Sequence, residues 1–185
     1  MKKSFLIVLV LVLLFMISAQ ASTLTVQGIP VPPDAEYLDL EKTQVKGYTR
    51  FMEELANLPS LQQVDMFTSR PTEKQVWALV DAFPEVRFGM TMTVAGFRCR
   101  TDDVIFSMHR RGEPLYKSSA FAQLTLCPDM LAFDLGHNRI TDLDFLKATP
   151  KLKYLILADN KITDLSPLAE LKDLQYLEIF MNQVT

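Results

Sequence analysis

Three stretches of the chain recur at a constant interval of 22 residues: MLAFDLGHNRITDL from Met130, LKYLILADNKITDL from Leu152 and LQYLEIFMNQVT from Leu174. They share the pattern L-x-x-L-x-L-x-x-N-x-I-T-D-L, with Met130, Phe133, Ile179 and Val184 as apolar substitutes and the third copy running as far as its Thr. A fixed period of this length permits few folds. Each copy is too short to bury its own apolar face, so the copies must stack on one another as a solenoid.

The positions can be read one at a time. Leu155 and Leu157 alternate with polar or outward residues and so turn to one side of a short strand. Phe133 and Leu135 do the same one repeat earlier, and Leu177 and Ile179 one repeat later. Asn138, Asn160 and Asn182 fall where each strand turns away. An Asn amide both donates and accepts, which predicts a buried ladder of these three residues satisfying the backbone of the turns. Ile140 and Ile162 return to the core. A short helix or turn follows, closed by Leu168 and Leu171, and Pro167 suits its first turn. This pattern resembles the leucine-rich repeat. The predicted fold class is an α/β leucine-rich repeat solenoid, with a parallel sheet on the concave face and helices or turns on the convex face.

Leu174, Leu177, Ile179 and Val184 are core positions of a repeat that no further repeat follows in this sequence. Burying a Leu or Ile is worth about 1.5–3 kcal/mol, so an uncovered last repeat is costly. The expectation is a chain truncated at its C-terminus; the alternative is capping by a partner or a second copy.

Residues 35–128 carry looser echoes of the same alternation at Leu38/Leu40, Val64/Met66, Val86/Phe88 and Phe106/Met108. Between them YTRFMEELANL, TEKQVWALVDAF and SSAFAQLTLC read as helices, the second opened by a Thr72-x-x-Gln75 capping box. Trp77 on that helix reads as packing. MTMTVAGFRCR, residues 90–100, alternates on both sides of Ala95-Gly96 and predicts an inserted β-hairpin. Residues 109–117 read as a loop. The predicted organisation is thus 1–21 targeting segment, 22–34 linker with Pro30, Pro32 and Pro33, 35–128 irregular repeats and 129–185 regular repeats.

Lys2 and Lys3, the apolar run Phe5–Ile17 and Ala19-Gln20-Ala21 have the layout of a secretory signal peptide. The run is shorter than the roughly 20 residues that span a bilayer, so no stable membrane span is expected after cleavage; an uncleaved anchor is the alternative. Loss of Lys2 and Lys3 takes the formal charge from −3 to −5. That balance speaks against a nucleic-acid partner. The predicted location is secreted or cell-surface. There, Cys99 and Cys127 either pair or serve as small buried apolar side chains.

The last 57 residues resemble internalin-type repeats. FPEVRFGMTMTVAGFRCRTDDVIFSMH (83–109) and FDLGHNRITDLDFL (133–146) are similar to a group of exported repeat proteins from gut-dwelling Gram-positive bacteria. The resemblance implies a fold, an export route and, by analogy, a binding role; it implies no particular ligand.

His109 and His137 stand far apart, and no zinc, nucleophile-elbow, dithiol or phosphate-loop motif occurs. No catalytic residue, metal site or cofactor is predicted. The outward residues of the repeat strands form columns across the concave face, and Tyr154, Ile156, Tyr176, Glu178 and Phe180 are the candidate ligand-binding residues. Covering the sheet or meeting further repeats is the alternative role for them. The sequence predicts a non-catalytic module recognising a protein or glycan. A second reading is an N-terminal scaffold of a larger exported protein or enzyme. Ligand identity, anchoring and oligomeric state are not encoded legibly.

Overall fold

The computed structural model describes residues 24–108 and 115–184. The targeting segment 1–21 and most of the loop read at 109–117 lie outside the described residues.

Eleven short strands are described, and seven of them build two parallel sheets. The first sheet contains β3 (Tyr37–Asp39), β4 (Gln63–Asp65) and β5 (Arg87–Gly89), in that order. The second contains β8 (Ile105–Ser107), β9 (Ala132–Asp134), β10 (Tyr154–Ile156) and β11 (Tyr176–Glu178). Consecutive strands pair in parallel without slippage: Phe106 faces Phe133, Phe133 faces Leu155 and Leu155 faces Leu177. The central residue of each inner strand is buried because its side chain points into the stack, where Leu135 and Leu157 follow it. The regular sheet therefore begins one strand before the clear sequence repeat, at β8.

The convex layer changes character along the chain. Helices α1 (Tyr48–Leu55) and α2 (Glu73–Ala82) cover the first sheet, burying Phe51, Leu55, Val76 and Leu79. The α2 capping box is formed: Thr72 N–H donates to Gln75 Oε1 at 2.8 Å, and Gln75 N–H donates to Thr72 Oγ1 at 3.4 Å. Trp77 is half-buried on this helix. Beyond it the convex elements are 3-10 helices, Ser118–Leu126, Asp144–Ala148 and Ser166–Glu170, the last with Pro167 in its first turn. The tighter coil rises faster per residue and suits a 22-residue layer with no room for a full α-helix.

Two hairpins depart from the parallel plan. β6 (Thr91–Val94) and β7 (Phe97–Arg100) pair antiparallel around Ala95 and Gly96, both at positive φ, between the two sheets. Such a turn matches the right-handed twist of its strands. The stretch read as a linker, 22–34, instead folds from Leu24 onward. β1 (Leu24–Val26) and β2 (Ile29–Val31) form a hairpin about Gln27-Gly28, and Val26 and Val31 are buried. Pro30 is tolerated because it lies exposed opposite Thr25, in a two-stranded ribbon with no inner neighbour. Gln27 donates through N–H and Nε2 to Glu54 Oε2, both at 2.9 Å, and Lys46 N–H donates to Gln27 Oε1. This hairpin packs on the first helix and is tied to it through Gln27 and Glu54.

The asparagines hold the turns of the second sheet. Asn160 Nδ2 donates to the carbonyls of Leu135, Leu157 and Ala158 at 3.0–3.3 Å, and its Oδ1 accepts from Ile140 N–H at 2.9 Å. Asn138 bonds Leu135 and Gly136 and accepts from Tyr116 N–H. Asn182 bonds Leu157, Ile179 and Phe180 and accepts from Ile162 N–H. Asn138 and Asn160 are buried, whereas Asn182 is partly exposed in the last turn.

Two outcomes are expected from this packing. Asn160→Ala leaves Ile140 N–H buried without an acceptor and lowers unfolding free energy by about 2–3 kcal/mol in denaturant titration; Asn160→Asp, which cannot donate, costs at least as much at neutral pH. At Glu54, burial pushes the carboxyl pKa up, but the Gln27 amides and the Arg50 guanidinium outweigh it and hold the carboxyl below its ordinary range. A depressed carboxyl stabilises above the ordinary glutamate value and loses that contribution as pH falls through the folded value. Glu54→Gln should therefore destabilise at neutral pH, and the difference from the unaltered chain should shrink in acid-unfolding profiles below about pH 4.

Candidate recognition face

Side chains that alternate with the buried ones stand on the open side of each sheet, and the register lines them up in rows. Across the second sheet one row is Ile105, Ala132, Tyr154 and Tyr176, and the next is Ser107, Asp134, Ile156 and Glu178. Tyr154 is 50% exposed, Tyr176 47%, Phe180 56% and Ile105 63%, so none of these large side chains belongs to the core. Ile156 and Glu178 are half-buried. The five residues proposed from the sequence thus stand on β10, β11 and the turn that follows β11. Phe180 lies one row further on, level with Gly136 and Ala158, where the strands bend outward and Ala158 is buried.

Hydrogen bonds set the posture of the polar members. Tyr176 OH donates to Glu178 Oε2 at 2.9 Å. Donation to that carboxylate holds the phenol pKa above its ordinary value, so Tyr176 is a neutral phenol across the physiological range. Ser107 Oγ donates to Asp134 Oδ2 at 3.3 Å, and Asp134 Oδ1 accepts from Gly136 N–H. At the strand exits His137 Nδ1 meets Asp159 Oδ2 at 3.0 Å. His137, Asp159 and Met181 all carry positive φ, between 54° and 57°, which turns their side chains outward beside the asparagines.

The first sheet presents a different surface. Its rows are Tyr37, Gln63 and Arg87, then Asp39, Asp65 and Gly89. Tyr37 OH and Gln63 Nε2 both donate to Asp65, each at 2.9 Å. Donation to Asp65 is the main cause that raises the Tyr37 phenol pKa to about 12. Gly89 is required here, because a Cβ would collide with Asp65 Oδ1 and the Phe67 ring. Arg87 Nη2 reaches Asp129 Oδ2 at 2.6 Å, and Asp129 also pairs with Lys151. Those two cations, Lys151 first, hold the Asp129 carboxyl below its ordinary range. The polar groups of this sheet largely satisfy one another, while the exposed apolar row lies on the second sheet.

Ile105 belongs to that row and is absent from the candidates read from the sequence. The signal was present: VIFSM places Phe106 and Met108 inward, which by alternation turns Ile105 and Ser107 outward. Leu177 and Val184, core positions by pattern, are exposed because β11 has a strand on one side only. Among the described residues no group of three His, Cys, Asp or Glu side chains could hold a metal ion. No helix among them is long and apolar enough to cross a membrane.

Comparison with known proteins bears on the repeats. The family described as Leucine Rich repeats (2 copies) matches residues 132–170 and again 150–185. No curated protein matches the sequence. Among solved structures, an internalin (inlF) from Listeria monocytogenes aligns over 86% of this chain and 36% of its own, at 19% identity and a TM-score of 0.35. An internalin C2 from the same organism aligns over 84% and 58%, at 23% identity and a TM-score of 0.35. A leucine-rich repeat protein from Leptospira interrogans aligns over 71% and 34%, at 18% identity and a TM-score of 0.32. The chain therefore spans between about one third and three fifths of the length of these structures. The second sheet of this protein, from β9 onward, matches leucine-rich repeats.

Proposed function

We propose that the chain is an exported, non-catalytic recognition module that binds a protein ligand through the open face of its second sheet. The observation that carries this reading is the in-register row Ile105–Ala132–Tyr154–Tyr176, flanked by Ile156 and Phe180. It is an exposed apolar strip on a sheet whose other face is packed from β8 to β10. Contiguous apolar surface edged by polar groups marks an interaction site more often than isolated exposed residues do. Tyrosines suit this role, since each supplies a large rigid contact area and a hydroxyl at little entropic cost. Asp134, Glu178 and Asp159 add an acidic margin, which fits a ligand carrying Lys or Arg beside an apolar anchor. Export is supported by the charged, apolar and small-residue layout of the first 21 residues.

The test compares ligand capture from extracellular extracts by the processed chain and by a Tyr154→Ala/Tyr176→Ala double variant. The same immobilised proteins are then probed with a glycan array. A protein captured by the unaltered chain and weakened about tenfold or more by the double change supports the face and the ligand class. Equal capture by both forms, with unchanged circular dichroism, would place binding elsewhere; selective glycan binding would replace the ligand class.

A further inference from the structure

Cys99 and Cys127, the two cysteines of the sequence, are both buried and lie in contact, with their sulfurs 3.9 Å apart. Neither is needed for the recognition face. Cys99 stands on β7, in the inserted hairpin, opposite Met92. Cys127 ends the 3-10 helix Ser118–Leu126, on the convex side of the second sheet. The two thiols share one acceptor, the Arg100 carbonyl, at 3.6 and 3.7 Å. Two small side chains from elements 28 residues apart thus converge on one buried spot where the hairpin meets the helical layer.

We infer that Cys99 and Cys127 form an intramolecular disulfide that fastens the inserted hairpin to the convex layer of the repeats. The sulfurs need to approach from 3.9 Å to about 2.0 Å, with both elements already in place. The oxidant is a low-molecular-weight disulfide or a disulfide-donating oxidoreductase of the extracytoplasmic space. One cysteine, as thiolate, attacks the donor disulfide and releases one donor thiol. The other then attacks the mixed disulfide and releases the second. Two S–H bonds are lost, one S–S bond forms between Cys99 and Cys127, and the electron pair leaves on the reduced donor.

The surroundings make this exchange slow but not blocked. The hydrogen bond to Cys127, followed by burial, holds the Cys99 thiol well above its ordinary pKa, so little thiolate is present in the closed structure. Cys99 borders a cavity of about 390 Å³ lined also by Phe67, Arg98, Arg100 and Asp103, through which a small reagent can approach the hairpin. The rate should therefore rise with pH and with conditions that loosen the hairpin.

The test uses the purified chain equilibrated in an oxidised and reduced glutathione buffer, independently of export or ligand. Intact mass spectrometry should show the loss of two hydrogen atoms, and thiol alkylation should label neither cysteine. Reduction of that product should lower the thermal midpoint by about 10 °C. A Cys99→Ala/Cys127→Ala variant should show no redox-dependent midpoint. Two thiols still fully alkylated after equilibration under unfolding-and-refolding cycles would overturn the inference. So would glutathione attached separately to each cysteine, or a disulfide whose reduction leaves the midpoint unmoved.

Discussion

The structure depends on one polar constraint at the heart of an apolar stack: each strand must leave the sheet without abandoning its backbone hydrogen bonds. Asn138, Asn160 and Asn182 meet it by reaching backward. Asn160 binds the turn of its own repeat and, through Leu135 O and Ile140 N–H, the turn of the repeat before it. The bond that satisfies a turn therefore also fixes the register between layers. The residue before each asparagine sits at positive φ, where His137 and Met181 are strained by about 1 kcal/mol relative to glycine. They stay there because the asparagine that follows each one bonds its own turn and the backbone of the repeat before it.

Fixed register is what turns a repeated sequence into a surface. Once Phe133, Leu155 and Leu177 are opposite one another, Ala132, Tyr154 and Tyr176 must be as well, on the other side. The inner row packs to exclude water and the outer row is free to vary. In the first half the outer row is spent on internal hydrogen bonds around Asp65. In the second the row Ile105, Ala132, Tyr154 and Tyr176 is left largely apolar. The two sheets share parallel, in-register pairing, and they differ in the side chains of their outer rows and in the helices that cover them.

The regular repeats were legible because their information is local: spacing fixes the strand, the asparagine and the return to the core. The β6–β7 hairpin was legible for the same reason, since alternation on both sides of Ala95-Gly96 describes a two-residue turn. The first hairpin was hidden by its prolines. Pro30, Pro32 and Pro33 speak for extended chain, and only the fold shows that Pro30 lies where no hydrogen bond is lost. The split into two sheets and the meeting of Cys99 with Cys127 are relations between distant segments, which no local pattern carries. Of the exposed row proposed as a recognition face, Tyr154 and Tyr176 could be read directly, whereas Ile105 required knowing that β8 joins the regular sheet.

Native-state amide hydrogen exchange measures the central constraint directly, because it reports on individual N–H groups. The Ile140 and Ile162 amides, which donate to asparagine side chains of the following repeat, should differ in a defined way. Ile140, beneath a buried asparagine, should exchange only through global unfolding, as slowly as the β9–β10 ladder; Ile162, beneath the partly exposed Asn182, should open locally and exchange faster. Rapid exchange at Ile140 while the β9–β10 ladder remains protected would contradict the claim that the asparagines lock one repeat to the next.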